Sequence, residues 1–431
     1  MEITGVNSIQ GEIKIPGDKS ISHRSAIMSA LTKDTVIINN FLFSQDCMHT
    51  LESLKAIGLK IEKLQDKLII SGGGINNFVE PDDILYVGNS GTTIRLMCGL
   101  LSATKKGLMF VLSGDSSINK RPMERVIAPL TEMGASIFGS KENTRAPIVI
   151  FGSIGKLKGA KLNINVSSAQ VKSCIALAAL FADGQTEIIQ PEKSRDHTER
   201  MLEYFGADIL YDGKNTIIKP GKELNGRNLF IPSDLSSAAF FIVASLILKK
   251  SRVILKNIGV NPLRSYFLDV LLNMGANIKI FNPRIINNEP VADIESSSSK
   301  LKGITLEKQS IPNIIDEVPA LCVAAAFAEG QTIIGGAEEL RFKESDRISS
   351  IASQFKKAGI DIIEQKDGMA INGNCNTNIL GGDFDSFGDH RIAMALAVLM
   401  LRGAGKARIL GSESIDTSFP GFIYELKKSV R

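Results

Sequence analysis

Three side chains suited to binding an anion stand together near the start of the chain. Lys19, Ser20 and Arg24 fall within PGDKSISHRS, Pro16 to Ser25. A strand-like run, Glu12 to Ile15, precedes them. An apolar helix pattern, Ala26, Ile27, Met28, Ala30 and Leu31, follows. The trio therefore belongs to a strand-to-helix junction. The first turn of a helix presents unpaired N–H groups and a partial positive charge. A lysine, a hydroxyl and an arginine added there describe an anion site. A serine-capped surface helix with ordinary basic neighbours is the plainer alternative, and recurrence decides between them.

Five further helix patterns start in a similar way. GNSGTTIR carries Asn89, Gly91 and Arg95. VSSAQVKS carries Ser167, Ser168, Gln170 and Lys172. PSDLSSA carries Ser233, Asp234 and Ser236. IPNIIDEVPA carries Asp316 and Glu317, and FGDHRIAM carries Asp389, His390 and Arg391. Capping accounts for Ser168, Ser236 and Asp316. It does not account for Lys19, Arg24, Arg95, Gln170, His390 and Arg391. A cation near a helix N-terminus is unfavourable by roughly 0.3–1 kcal/mol, and an anionic ligand reverses that sign. A second group of helix starts adds Lys120, Arg121 and Arg125 in KRPMERV, and Ser194, Arg195 and Asp196 in SRDHTER. RFKESDRISS adds Arg341, Lys343, Glu344, Asp346 and Arg347. Lys343 and Arg347 are four apart and share a helical face. A solvated ion-pair face would also explain that last cluster.

The elements that must position these residues form a repeat. A helix ending in Gly, then a strand, recurs as AIGLKI, EMGASI, YFGADI, NMGANI and KAGIDI. The glycines are Gly58, Gly134, Gly206, Gly275 and Gly359, as expected where a helix ends in a left-handed residue. Pro420 to Val430 reads as a sixth helix of this kind. These helices are amphipathic and lie outside. The helices that follow the polar starts are apolar nearly all round and lie inside. Each unit of ~70 residues reads β-α-β-α-β-β, which predicts an α/β chain of two domains with three units each. The expected boundaries are 1–18 plus 233–431 for one domain and 19–232 for the other.

Composition narrows the function. Lys plus Arg number 50 and Asp plus Glu 46, a net charge of +4. That is too mild for a nucleic-acid footprint, and Trp is absent, which disfavours a base-stacking surface. No apolar run approaches the ~20 residues of a membrane span. Cys47, Cys98, Cys174, Cys322 and Cys375 are scattered without CxxC spacing. They predict a reduced, cytoplasmic chain with no metal site. Gly72-Gly73-Gly74 reads as a strand-end turn, and His23 and His49 as structural or exposed.

PGDKSISHRS, GNSGTTIR, RPMERV, SSAQVKS, KESDR, GDHRIAMA and TSFPGF occur in this order along the chain. Together they resemble the 5-enolpyruvylshikimate-3-phosphate synthase family of enolpyruvyl transferases. The resemblance implies two domains of three β-α-β-α-β-β units with the active site in the cleft between them. It places shikimate 3-phosphate on Lys19, Ser20, Arg24, Ser168, Gln170, Ser194, Asp316 and Lys343. It places phosphoenolpyruvate on Lys19, Asn89, Gly91, Arg121, Gln170, Arg347 and Arg391. It makes Lys19, Asp316, Glu344 and His390 the candidate catalytic residues. One domain would carry Arg24, Arg95, Arg121, Ser168 and Gln170. The other would carry Asp316, Lys343, Glu344, Arg347, His390 and Arg391. The implied enzyme is a cytoplasmic monomer without cofactor or metal, inhibited by glyphosate; the positive helix starts themselves predict an open form that closes when a dianionic ligand screens facing cations. The SSAQVKS and RPM spellings resemble a bacterial subgroup often tolerant of that inhibitor.

Two departures stand out. A lysine often precedes the TFP-type motif, where this chain has Asp416 and Thr417; Lys406 or Arg408 are the alternatives. Glu339 replaces an Asn found in some members. The related UDP-N-acetylglucosamine enolpyruvyl transferases typically carry a Cys before the RP motif and an Asn after the first Lys. Here the loop is SGDSSINKRPM, and Ser20 follows Lys19. An RNA-end-processing or non-catalytic relative would be more basic, or would lack the paired carboxylates and arginines.

Overall fold

The computed structural model describes residues 1–65, 67–153 and 157–431. Its helices, in chain order, are α1 (Lys19–Leu31), α2 (Gln45–Ala56), α3 (Gly91–Ser102), α4 (Glu124–Glu132), α5 (Ala169–Ala179) and α6 (His197–Tyr204). They continue as α7 (Leu235–Ile247), α8 (Tyr266–Asn273), α9 (Val318–Ala326), α10 (Arg347–Lys357), α11 (His390–Met400) and α12 (Phe422–Ser429). Ser140–Asn143 is a turn with Lys141 and Glu142 left-handed, and is not counted among them. Odd-numbered helices are inner and even-numbered ones outer, as the repeat predicts. Every residue of α7, α9 and α11 is buried. The amphipathic α2 and α4 bury one face each.

Among the described residues, five sheets share one four-stranded plan and a sixth has three strands. In the second, Leu85–Tyr86 pairs parallel with Met109–Ser113 across α3. Arg145–Phe151 then pairs antiparallel with Met109–Ser113 and with Ser136–Gly139, which follows α4. The five repeat glycines have φ between 89° and 101°, the left-handed value that the helix-to-strand step requires. Gly72 to Gly74 follow the strand Lys67–Ser71, as a strand-end turn should.

Two details differ from a simple tandem repeat. The strand before α1 ends at Ile13 and pairs with Arg252–Gly259, in the fourth sheet. The strand before α7, Leu229–Phe230, pairs with Thr35–Asn39 in the first. The first and fourth units thus exchange opening strands. The cause is chain crossing: one compact unit is Met1–Pro16, Ser233–Arg284 and Pro290–Arg431, and the other is Gly17–Pro232 with Ile285–Glu289. The sixth sheet is completed by Glu2–Thr4, antiparallel to Lys406–Leu410.

Each unit has its own core. In the unit that contains α1, α3 and α5, α3 approaches α5 closely at Gly99. A Cβ there would collide with the carbonyl of Cys174 on α5. Gly99→Ala should therefore force the two inner helices apart and destabilise the unit by about 1–3 kcal/mol or more, the usual cost of overpacking. The check is the urea midpoint, which should fall relative to wild type; an unchanged midpoint would show that the helices separate freely.

Candidate active site

At the start of α1 the cap is Asp18, which accepts from the Ile21 N–H at 2.9 Å. Lys19 donates to Asp46 Oδ2 on α2 at 2.9 Å, so its ammonium faces a carboxylate and not only other cations. Asp46 escaped sequence analysis because it lies 27 residues away with no motif linking the two. Ser20 remains half-buried at the same start. Arg24 lies one turn deeper. It donates to Thr198 Oγ1 at 2.7 Å, Ser173 Oγ at 2.8 Å and the Ser20 carbonyl at 3.0 Å. Burial pushes its guanidinium down to about 10, with Glu199 and Asp18 opposing. α1 is therefore not apolar all round: Arg24 and His23 Nδ1 meet partners on α2, α5 and α6.

Ser90 caps α3, and Gly91 is the first helical residue. A Cβ on Gly91 would lie 2.9 Å from Arg121 Nη1 and 3.0 Å from Arg95 Nη1. Two guanidinium ends thus converge where the helix end is itself positive. Arg95 Nη1 donates to Gln170 Oε1, and Gln170 Nε2 donates to Thr92 Oγ1 at 3.0 Å. Asn89 is half-buried beside this start. Ser168 caps α5, accepting from Val171 N–H. Ser194 donates to Gln190 Oε1 at 2.8 Å. Lys172, one turn into α5, forms a fully buried 2.5 Å ion pair with Glu199 of α6.

In the other unit the polar residues centre on Arg347, which is 1 % exposed. Its Nε donates to Asp389 Oδ2 at 2.8 Å and its Nη2 to Glu344 Oε2 at 2.6 Å; Asp316 Oδ1 lies 3.8 Å from Nη1. Burial alone would lower its pKa, but Asp389 and Glu344 outweigh it and hold the guanidinium above its ordinary value. Asp389 also caps α11 by accepting from Arg391 N–H at 2.9 Å. Arg391 Nη1 donates to the Asp316 carbonyl at 2.8 Å, and His390 is buried beside it. Burial holds Lys343 below the ordinary lysine range, opposed by Asp316 and reinforced by Arg347. The structure thus brings Asp316, Lys343, Glu344, Arg347, His390 and Arg391 together around two helix starts.

The starts of α7 and α9 differ from the others. Asp234, not Ser236, caps α7, and Glu317, not Asp316, occupies the cap position of α9. Arg264 Nη2 donates to Asp234 at 3.0 Å and Ser236 at 2.8 Å, and its Nη1 lies 3.8 Å from Glu317. This buried arginine ties the two starts together, and no motif had marked it. Among the described residues, no cluster of three His, Cys, Asp or Glu side chains is placed to hold a metal ion. No described helix is long and apolar enough to cross a membrane.

The chain is similar to known proteins over its whole length. The family model for EPSP synthase (3-phosphoshikimate 1-carboxyvinyltransferase) matches residues 3–426. A 3-phosphoshikimate 1-carboxyvinyltransferase from Petrotoga mobilis is 48 % identical, covering 100 % of both chains. One from Geotalea uraniireducens is 46 % identical, covering 99 % of this chain and 98 % of that one. A solved EPSP synthase from Acinetobacter baumannii matches with TM-score 0.88 and 42 % identity over 99 % of this chain and 97 % of that one. The enolpyruvyl transferase NikO from Streptomyces tendae shares the fold, with TM-score 0.79 at 16 % identity over 99 % of this chain and 96 % of that one.

The Lys172–Glu199 pair yields a stability prediction. Removing one member of a buried ion pair strands the other charge and costs about 3–5 kcal/mol. Lys172→Met should therefore lower the urea midpoint strongly, and Lys172→Met with Glu199→Leu should recover most of the loss. A double variant no better than the single one would show that the lysine acts through packing instead.

Proposed function

This chain belongs to the EPSP synthase family, and we propose that residues at its helix starts bind phosphoenolpyruvate and shikimate 3-phosphate. The enzyme is a transferase of the shikimate pathway: it moves the enolpyruvyl group of phosphoenolpyruvate to the 5-hydroxyl of shikimate 3-phosphate and releases phosphate. We assign phosphoenolpyruvate to the start of α3, with Asn89, Gly91 and Arg121, together with Lys19, Gln170, Arg347 and Arg391. The observation that carries this is the convergence of Arg95 and Arg121 on Gly91. Two cations at a helix N-terminus repel each other and the helix end, and a phosphate or carboxylate there offsets both. Arginine suits these groups because its donors match them bidentately.

Shikimate 3-phosphate is assigned to Lys19, Ser20, Ser168, Gln170, Ser194, Asp316 and Lys343. Arg24, bonded to the Ser20 carbonyl, supports that set from below. In the reaction the methylene carbon of phosphoenolpyruvate is protonated. The 5-hydroxyl attacks the cationic carbon and gives up its proton, and phosphate then leaves from the tetrahedral intermediate as the new methyl group loses a proton, which restores the double bond. That sequence needs groups that give and take protons. Lys19, Asp316, Glu344 and His390 are the residues assigned to those transfers. Arg347 fixes the Glu344 carboxylate at 2.6 Å, so it orients a proton acceptor as well as facing a ligand.

The test is phosphate release from phosphoenolpyruvate with shikimate 3-phosphate, run beside the same assay with UDP-N-acetylglucosamine. Release should occur with the first acceptor only. Arg121→Ala in one unit and Arg391→Ala in the other should each raise the KM for phosphoenolpyruvate. An unchanged KM in either variant would remove that arginine from the assignment.

Gly91→Ala makes a sharper prediction. The new methyl meets the flexible ends of Arg95 and Arg121 rather than backbone, so the helix tolerates it while the anion subsite shrinks. Glyphosate, longer than phosphoenolpyruvate, should lose more. Its inhibition constant should rise about tenfold, ~1.4 kcal/mol, while the KM for phosphoenolpyruvate changes less. Equal changes in both would show that Gly91 does not discriminate by size.

A further inference from the structure

His23, buried and unassigned by the reading above, opens a chain of hydrogen bonds through three helices. His23 Nδ1 on α1 lies 2.7 Å from Thr50 Oγ1 on α2. Thr50 Oγ1 lies 2.7 Å from Thr93 Oγ1 on α3. Thr93 donates twice to Ser90 Oγ, from its hydroxyl at 2.7 Å and from its backbone N–H at 3.2 Å. His23, Thr50 and Thr93 are fully buried, and Ser90 is 1 % exposed. His23 Nε2 is buried without a hydrogen-bond partner.

Hydroxyl groups have one hydrogen and two acceptor sites, and that fixes the direction of the chain. Ser90 Oγ has both acceptor sites filled by Thr93. The Thr93 hydrogen is spent on Ser90, so Thr93 Oγ1 accepts from Thr50. The Thr50 hydrogen is spent on Thr93, so Thr50 Oγ1 accepts from His23 Nδ1–H. Burial and the neighbouring Lys19 and Arg24 keep the imidazole neutral, its pKa well below the ordinary value. A neutral ring protonated at Nδ1 leaves Nε2 as a bare acceptor, which accords with its lack of a partner. At the other end the Ser90 hydrogen is left to donate away from Thr93. Ser90 is the cap of α3, directly before Gly91, where Arg95 and Arg121 converge.

We infer that His23, Thr50 and Thr93 are positioning residues that leave the Ser90 hydroxyl as an added donor to the phosphoenolpyruvate held at the start of α3. The inference rests on the proposed placement of that substrate. The chain does no chemistry of its own. It removes the alternative in which the Ser90 hydrogen turns inward, so the donor is oriented before the substrate arrives.

Steady-state kinetics with each substrate varied in turn tests this. Ser90→Gly keeps a tolerated capping residue but deletes the donor. Its KM for phosphoenolpyruvate should rise about tenfold, the effect of one hydrogen bond to a charged group. Turnover at saturation and the KM for shikimate 3-phosphate should stay within about twofold, below what one such bond confers. Thr50→Val, which cuts the chain in the middle, should show the same split, and Thr50→Ser should restore wild-type behaviour. The double variant Thr50→Val with Ser90→Gly should be no worse than Ser90→Gly alone, because both remove one donor. Additive losses, or equal losses in turnover and in both KM values, would overturn the inference. Should Thr50→Val fail to fold, Ser90→Gly decides alone, since an unchanged KM for phosphoenolpyruvate excludes the donor. Wild-type protein inactive with both substrates would instead refute the placement on which the inference rests.

Discussion

A helix buried on every side can meet a ligand only at its ends. That constraint governs this molecule. In α7, α9 and α11 no residue is even partly exposed. In α1, α3 and α5 the exceptions are Lys19 and Ser20, Thr92, and Ala169 and Gln170. All five lie in the first two residues of their helix. The repeat therefore does more than build two cores. It gathers the accessible polar groups of the inner helices at N-termini, where unpaired N–H groups already favour an anion. Most of these starts carry a side-chain cap, from Asp18, Ser90, Ser168, Asp234 or Asp389, so the first turn is rigid before any ligand arrives.

Placing charge beside buried helices is costly unless each charge is matched. Several of these charges are matched by carboxylates. Arg347 is surrounded by Asp389, Glu344 and Asp316, Arg264 by Asp234 and Glu317, and Lys172 by Glu199. At the start of α3 the arrangement is of another kind. Arg95 donates to the amide oxygen of Gln170 and the carbonyl of Pro122, which accept hydrogen bonds but carry no net charge. Arg121 approaches the same glycine. Two guanidinium ends therefore meet at the start of α3, while three carboxylates gather around Arg347.

Much of this was legible in the sequence, for a physical reason. Helix ends and periodicity are local, so they leave a local trace. The five repeat glycines adopt the left-handed conformation that their position implied. The six apolar runs became the six inner helices, and the polar starts became first turns. Partners far apart in the chain leave no such trace. Asp46 opposite Lys19, Glu199 opposite Lys172, and Arg264 between two helix starts each belong to a different motif from their partner, or to none. The capping residues of α7 and α9 were displaced by one or two positions, because Ser, Asp and Glu in a row offer several candidate caps and only the backbone selects one.

The exchange of opening strands shows how the repeat and the two-unit division coexist. A β-α-β unit needs a strand beside the one that follows its inner helix, with its side chains in register, but the unit does not require that strand to be the preceding one in sequence. Gln10–Ile13 and Leu229–Phe230 each lead into an inner helix of one unit while pairing in a sheet of the other. Both pairings are parallel, so the two segments are equivalent in the sheet plan and differ only in which helix they enter. The chain can therefore pass between units at Pro16–Gly17 and Pro232–Ser233 while the first and fourth sheets each keep four strands. The consequence reaches the site. Lys19 and Ser20 sit just after the first crossing and Asp234 just after the second, so the backbone that links the units is also the backbone that sets the starts of α1 and α7.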